Sequence, residues 1–142
     1  MKKTLSSSLE LDTDSHRLPI DEIFTYLQTT YWAANRSRDT VRRSIQHSLC
    51  FGLYLHDRLI GFARVVTDFA VFAYLCDVYI VPDQQGKGYG KMLMQEIAEY
   101  PELQEIRRCM LATKDAHGLY AQYGYSTLEK PDRWMEKFRA DL

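Results

Sequence analysis

Three glycines at alternate positions, Gly86, Gly88 and Gly90, stand between an apolar run and an amphipathic run. A glycine turn lets a ligand approach the backbone closely because no Cβ stands in the way. The first N–H groups of a helix have no partner inside it, and the helix dipole places positive charge there. Lys87 and Lys91 add cationic side chains. The spacing therefore predicts a phosphate-binding turn, with a pyrophosphate as its natural ligand.

Two other phosphate motifs fit this segment less well. A P-loop requires Ser or Thr directly after Gly-Lys, and Gly88 follows Lys87 here. The dinucleotide fingerprint requires G-x-G-x-x-G within a repeated βαβ fold, whereas this chain has G-x-G-x-G in a single strand–turn–helix unit. A nucleotide-binding domain is the alternative function that these motifs leave open.

The elements that must position this turn follow from the hydrophobic pattern. Alternating or β-branched runs predict strands at Leu5–Leu11, Cys50–Leu55, Leu59–Val66, Val71–Val81, Arg108–Ala112 and Tyr125–Leu128. Helical spacing predicts helices at Pro19–Leu27, Ser37–Leu49 (with Ser37 as N-cap), Gly88–Tyr100 and Ala116–Tyr123. Trp134–Phe138 fits a further short strand or a terminal helix. Consecutive antiparallel strands before one β-loop-α-β unit predict an α+β fold with a mixed, mostly antiparallel sheet flanked by helices.

Two segments carry a family resemblance. Gln85-Gly86-Lys87-Gly88-Tyr89-Gly90 resembles the Q/R-x-x-G-x-G/A signature of the GNAT superfamily of acyl-CoA-dependent N-acyltransferases. Leu119 to Tyr125 resembles that family's F-Y-x-x-x-G-F segment. The resemblance implies a single acetyltransferase domain over residues 1–142, with acetyl-CoA as cosubstrate and an amine as acceptor.

The resemblance also implies which residues bind acetyl-CoA. Backbone groups of Tyr79 and Val81 would pair with the pantetheine amides as if the cosubstrate were an added strand. The amides from Gly86 to Lys91 would hold the pyrophosphate. Gln85 stands where the family more often has Arg. The expected binding residues are Tyr79, Ile80, Val81, Gln85, Gly86, Lys87, Gly88, Tyr89, Gly90 and Lys91.

Acyl transfer to an amine needs a proton donor for the thiolate and a neutral amine. Tyr120, at the position of the family's tyrosine, is the expected general acid, because a phenol pKa of about 10 is near a thiol pKa of about 8.5. Asp77 is the expected base, directly or through water. Asp68 and Asp115 are its alternatives, or could attract a cationic substrate. A main-chain N–H near Val78 or Tyr79 would polarise the carbonyl.

Two adjacent aromatic residues, Tyr31 and Trp32, lie in the predicted loop between the first two helices. The resemblance places the acceptor pocket near this loop, so both are expected to bind substrate. Burial of the two rings in the core is the equal alternative.

The charge balance limits the classes of partner that the protein is expected to bind. The chain has 18 basic and 19 acidic residues and a net charge of −1, without a basic stripe, so no nucleic acid or membrane partner is expected. No metal is expected, because the three cysteines lack C-x-x-C spacing. Unpaired cysteines and the lack of a signal peptide favour a cytoplasmic location.

The identity of the acceptor stays open at this level. A small-molecule amine is favoured. The alternative acceptors are a protein N-terminus and a lysine side chain. The alternative function is a module that binds acyl-CoA without catalysis. Family members often pair, so a homodimer is also left open.

Overall fold

A single mixed sheet organises the computed structural model, which describes residues 1–142. Its six strands lie in chain order: β1 Lys2–Thr4, β2 Leu9–Asp12, β3 Leu49–Leu55, β4 Arg58–Thr67, β5 Phe72–Ile80 and β6 Arg108–Met110. Four α-helices accompany it: α1 Ile20–Leu27, α2 Arg38–Gln46, α3 Tyr89–Ala98 and α4 His117–Ala121. All neighbouring strands are antiparallel except β5 and β6, which are parallel because α3 lies in the connection between them. The predicted α+β class is confirmed.

Local sequence explains where these elements begin and turn. The β3–β4 hairpin turns at His56 and Asp57, whose φ angles of 48° and 63° fit the two-residue turn that matches strand twist. Helix α2 begins after Ser37, whose hydroxyl accepts a hydrogen bond from the Thr40 N–H. Helix α3 begins after Gly88.

The sheet has a hydrophobic cluster on each face. Helix α3 packs on one face, where its Leu93 is buried with Leu75 of β5. Helices α1 and α2 pack on the other, where Ile23 of α1 is buried with Tyr79 of β5. Leu75 and Tyr79 would share a face in a regular strand. They do not, because a bulge interrupts the β4–β5 register around Asp77, whose φ is 54°.

Several predicted boundaries need correction. The predicted strand Leu5–Leu11 is correct only for Leu9–Leu11, which lie in β2, because Leu5 to Ser8 form the turn that joins β1 to β2. The predicted strand Tyr125–Leu128 is also wrong: the segment pairs with no strand, and the Tyr125 N–H returns to the Tyr120 carbonyl at the end of α4. Trp134–Phe138 is neither strand nor helix. Helix α2 ends at Gln46, and Leu49 already belongs to β3. None of the helices is long and apolar enough to cross a bilayer.

Candidate active site

Strands β5 and β6 pair over only three residues of each. Phe72 to Tyr74 face Arg108 to Met110, and β6 then ends. Strand β5 continues to Ile80 without a neighbour on that side. This leaves a cleft along the edge of β5, and the edge can hydrogen-bond an extended ligand as if it were another strand.

The backbone groups that face this cleft belong to Val78 and Ile80. Val81 faces the other way, because its N–H donates to the Ile60 carbonyl at 2.8 Å and its own carbonyl accepts from the Gln84 N–H. Orientation alternates along a strand, so Tyr79 also turns its N–H and C=O toward β4. The predicted pairing of Tyr79 and Val81 with the pantetheine is therefore wrong by one residue. The expectation of a free N–H near Val78 agrees with this geometry.

The side chains around the end of β5 have structural roles. Tyr79 is buried and stacks on Tyr26 with 3.8 Å between ring centroids, and burial raises its pKa. The Gln85 side-chain amide donates to the Ile80 carbonyl at 2.8 Å and thereby closes the turn onto β5. Of the cleft-facing groups, the two N–H groups and the Val78 carbonyl remain for a ligand.

The glycine turn leads directly from the end of β5 into α3. Gly86 and Gly88 have φ angles of 75° and 87°, in the left-handed region that favours glycine, whereas Gly90 is not in that region. The six N–H groups from Gly86 to Lys91 donate no hydrogen bond within the chain, and Met92 is the first residue bonded to the preceding turn, through Gly88. A row of unpaired donors at a helix start can hold a pyrophosphate.

Tyr120 is half-buried on α4, which follows β6. Its ring lies edge-on to that of Tyr125, with centroids 6.1 Å apart, and its hydroxyl has no hydrogen-bond partner in the chain. Burial, and to a smaller extent Tyr31, raise the pKa of Tyr120 above its usual value. The phenol therefore stays protonated at neutral pH, as a general acid must.

Tyr31 and Trp32 join the two sides of the cleft. The Tyr31 hydroxyl accepts a hydrogen bond from the Lys114 N–H at 3.2 Å, in the loop between β6 and α4. The Trp32 Nε1 donates to Asp77 on β5 at 3.0 Å. Tyr31 is 64% exposed and Trp32 41%, so neither ring is buried in the core. The α1–α2 connection thus lies across the cleft.

Asp77 is the centre of a buried ion-pair cluster. Both of its carboxylate oxygens accept from Arg36 Nη1, at 2.8 and 2.9 Å, and one accepts from Arg64 Nε at 2.9 Å. The Asp77 side chain is 1% exposed. Burial acts to raise the pKa of Asp77, but Arg64 and Arg36 outweigh it and hold the pKa below its usual value. A carboxylate held in this way is a weak proton acceptor.

The other two candidate carboxylates differ from Asp77. One Asp68 oxygen accepts the N–H groups of Ala70, Val71 and Phe72, which lowers the Asp68 pKa and ties this side chain to its turn. Asp115 is exposed in the β6–α4 loop.

Sequence reasoning missed Arg36 and Arg64. Arg36 lies 41 residues from Asp77 along the chain and Arg64 lies 13 residues from it, so no local pattern joins them. No group of three or more His, Cys, Asp or Glu side chains is arranged to hold a metal ion.

Comparison with known proteins identifies the family of this chain. Residues 15–125 match the Acetyltransferase (GNAT) family. The chain belongs to the GNAT family of acetyltransferases. Members of this family use acetyl-CoA and acetylate amines, and the strand edge and the N–H row fit that cosubstrate.

The similarity to two proteins named as acetyltransferases extends over most of the chain. A protein of Gibberella zeae named as an acetyltransferase is 31% identical over 136 residues, which covers 79% of this chain and 75% of that protein. An N-acetyltransferase of Prochlorococcus marinus, named as ycf52-like, is 33% identical over 122 residues, covering 82% of this chain and 67% of its own.

Solved structures support the same assignment. A GNAT-family acetyltransferase from Xanthomonas campestris pv. campestris has a TM-score of 0.91 and 44% identity, over 94% of this chain and 95% of its own. The N-acetylglutamate synthase of Neisseria gonorrhoeae, solved with coenzyme A and L-arginine, has a TM-score of 0.66 and 19% identity, over 92% of this chain and 30% of its own. The second likeness is one of fold alone.

Proposed function

We propose that residues 1–142 form one N-acetyltransferase domain that transfers the acetyl group of acetyl-CoA to a primary amine of a small molecule. The observation that carries this proposal is the row of six unpaired N–H groups from Gly86 to Lys91, beside an open strand edge. A diphosphate on the turn and an extended amide chain along β5 would use both features. Cytoplasmic action remains a prediction.

Each part of the site has a separate task in this proposal. Acetyl-CoA, when bound, supplies a thioester carbonyl that a neutral amine attacks, so that a C–N bond forms and the C–S bond breaks. The Val78 N–H, which faces the cleft, would donate to the carbonyl oxygen as negative charge develops on it. Tyr120 would protonate the departing sulfur.

The proton of the attacking amine needs an acceptor other than Asp77. Because both guanidinium groups lower the Asp77 pKa, we assign this carboxylate to positioning Trp32 and Arg36 rather than to base catalysis. Water in the open cleft would take the proton. The earlier prediction of Asp77 as base stays open to test through the pH dependence of turnover in Asp77→Asn.

The first experiment measures ligand binding by calorimetry. Acetyl-CoA and CoA should bind the wild-type chain, and NAD should not. Gly88→Ala should weaken acetyl-CoA binding at least tenfold, because a Cβ at a φ of 87° strains the turn that presents the N–H row. Gly118→Ala is the matched control, since Gly118 is exposed on α4 with no heavy atom within 4 Å of an added Cβ.

Catalysis is tested by thiol release over a panel of amines and peptides. Acetylation of small amines would support the proposal. Acetylation of peptides alone would show that the acceptor is a peptide and not a small molecule. Binding of acetyl-CoA without transfer to any acceptor would indicate a binding module. Binding of NAD in place of acetyl-CoA, or unchanged affinity in folded Gly88→Ala, would overturn the proposed cosubstrate site.

A further inference from the structure

The Asp77 cluster carries more positive than negative charge. Two guanidinium groups, of Arg36 and Arg64, face one carboxylate, so the cluster keeps one net positive charge. The single carboxylate cannot neutralise a further cation, because two guanidinium groups already face it. Charge of this sign beside the cleft disfavours a cationic group and favours an anionic one.

Arg36 is the more exposed of the two arginines in this cluster. Its side chain is 27% exposed, against 11% for Arg64, and only its Nη1 is used by Asp77. Nε and Nη2 of Arg36 donate to no acceptor in the chain. These two nitrogens lie on one edge of the guanidinium plane, where a carboxylate can accept from both at once.

Arg36 lies near the part of β5 that borders the cleft. Arg36 bonds to Asp77, the residue directly before Val78, whose N–H faces the cleft. Lys114 adds a second cation on the other side, with its Nζ 5.5 Å from the centre of the Tyr31 ring and without an ion-pair partner. Asp115, exposed in the same loop, is the acidic residue next to it and forms no ion pair.

We propose that the acceptor is an amine that also carries a carboxylate, as an amino acid does, and that Arg36 binds this carboxylate through Nε and Nη2. The inference rests on the proposed acetyl transfer and specifies its substrate class.

Pairs of acceptors that differ only in the carboxylate test this inference. Tyrosine and tyramine, histidine and histamine, and ornithine and putrescine are compared by thiol release with saturating acetyl-CoA. For at least one pair, we expect kcat/KM for the amino acid to exceed that of its decarboxylated partner by about tenfold or more, as expected for a charge-assisted bidentate pair.

The matched variants separate binding of the carboxylate from other roles of Arg36. Arg36→Gln should lower kcat/KM for the preferred amino acid about tenfold, mainly through KM, and should lower that of the decarboxylated amine by a clearly smaller factor. Arg36→Lys keeps the charge and the ion pair with Asp77 but loses the two-nitrogen edge, so its KM should lie between wild type and Arg36→Gln. Arg43→Gln, on the exposed pair with Asp39, is the control and should change neither.

The outcomes distinguish this inference from the proposed function. Absence of acetyl-CoA binding would overturn both. Transfer to decarboxylated amines as efficient as to every amino acid partner would overturn only the carboxylate assignment. An equal effect of Arg36→Gln on both members of the preferred pair, with the fold intact by circular dichroism, would do the same.

Discussion

The two halves of the candidate active site are built in opposite ways. The glycine turn presents backbone donors from six consecutive residues, and its geometry depends on left-handed φ angles at Gly86 and Gly88. The Asp77 cluster joins side chains from distant parts of the chain, with Trp32 45 residues away from Asp77. The turn should therefore be sensitive to a change of backbone conformation, and the cluster to the loss of one charge.

The largest expected effect is on the cluster. Asp77→Asn should lower the free energy of unfolding by about 3–5 kcal/mol, because it leaves two partly buried guanidinium groups without a counter-charge. Asparagine tolerates the left-handed φ at this position, so the variant isolates the charge. Urea unfolding measures the loss. Asp39→Asn, on exposed ion pairs, is the control, and equal stability of the two variants would contradict a structural role for Asp77.

The next largest effect concerns proton donation by Tyr120. Tyr120→Phe should lower kcat by about 10²-fold or more while leaving the affinity for acetyl-CoA unchanged, because only proton donation is removed. Tyr125→Phe, on the ring that lies edge-on to Tyr120, is the matched control. Steady-state kinetics and calorimetry provide the two measurements. A similar kcat for the Tyr120 variant and wild type would remove its role as acid.

A smaller effect is expected on the turn. Gly86→Ala should lower the free energy of unfolding by about 1–2 kcal/mol, because an L-residue at a φ of 75° is strained even though nothing lies within 4 Å of the added Cβ. Gly118→Ala should be neutral or stabilising, since alanine favours a helix. Thermal and urea unfolding compare the two. If both variants lose the same stability, backbone strain is not what distinguishes the turn.

The smallest effect is the pH dependence of the cluster. The folded-state pKa of Asp77 lies below its usual 3.8, so the stability from its charge is present above pH 3.8 and is lost as pH falls through the lower folded value. The difference in unfolding free energy between wild type and Asp77→Asn should therefore shrink as pH falls below about 4. A difference that grows in acid would contradict the ion pair.

The sequence predictions were accurate for features that depend on neighbouring residues and failed for features that depend on distant ones. The Gly86–Gly90 turn, the Ser37 cap and the β3–β4 hairpin depend on near neighbours, and the structure places all three where expected. The expected strand Tyr125–Leu128 failed because a strand also needs a partner strand, and its own residues do not specify one.

The choice of cleft-facing residues required tertiary information for a similar reason. Alternation along β5 is visible in the sequence, but which set faces the cleft depends on the side taken by β4 and on the bulge at Asp77. The expected pairing of Tyr79 and Val81 was therefore off by one residue, in favour of Val78 and Ile80.

The sequence by itself determined the glycine turn before α3 and the acetyltransferase family, because glycine spacing and helix start lie within one short segment. Only the tertiary structure decided which groups surround Asp77. A carboxylate acts as base or as ion-pair partner according to the charges around it, and those charges come from Arg36 and Arg64, which the fold brings to it.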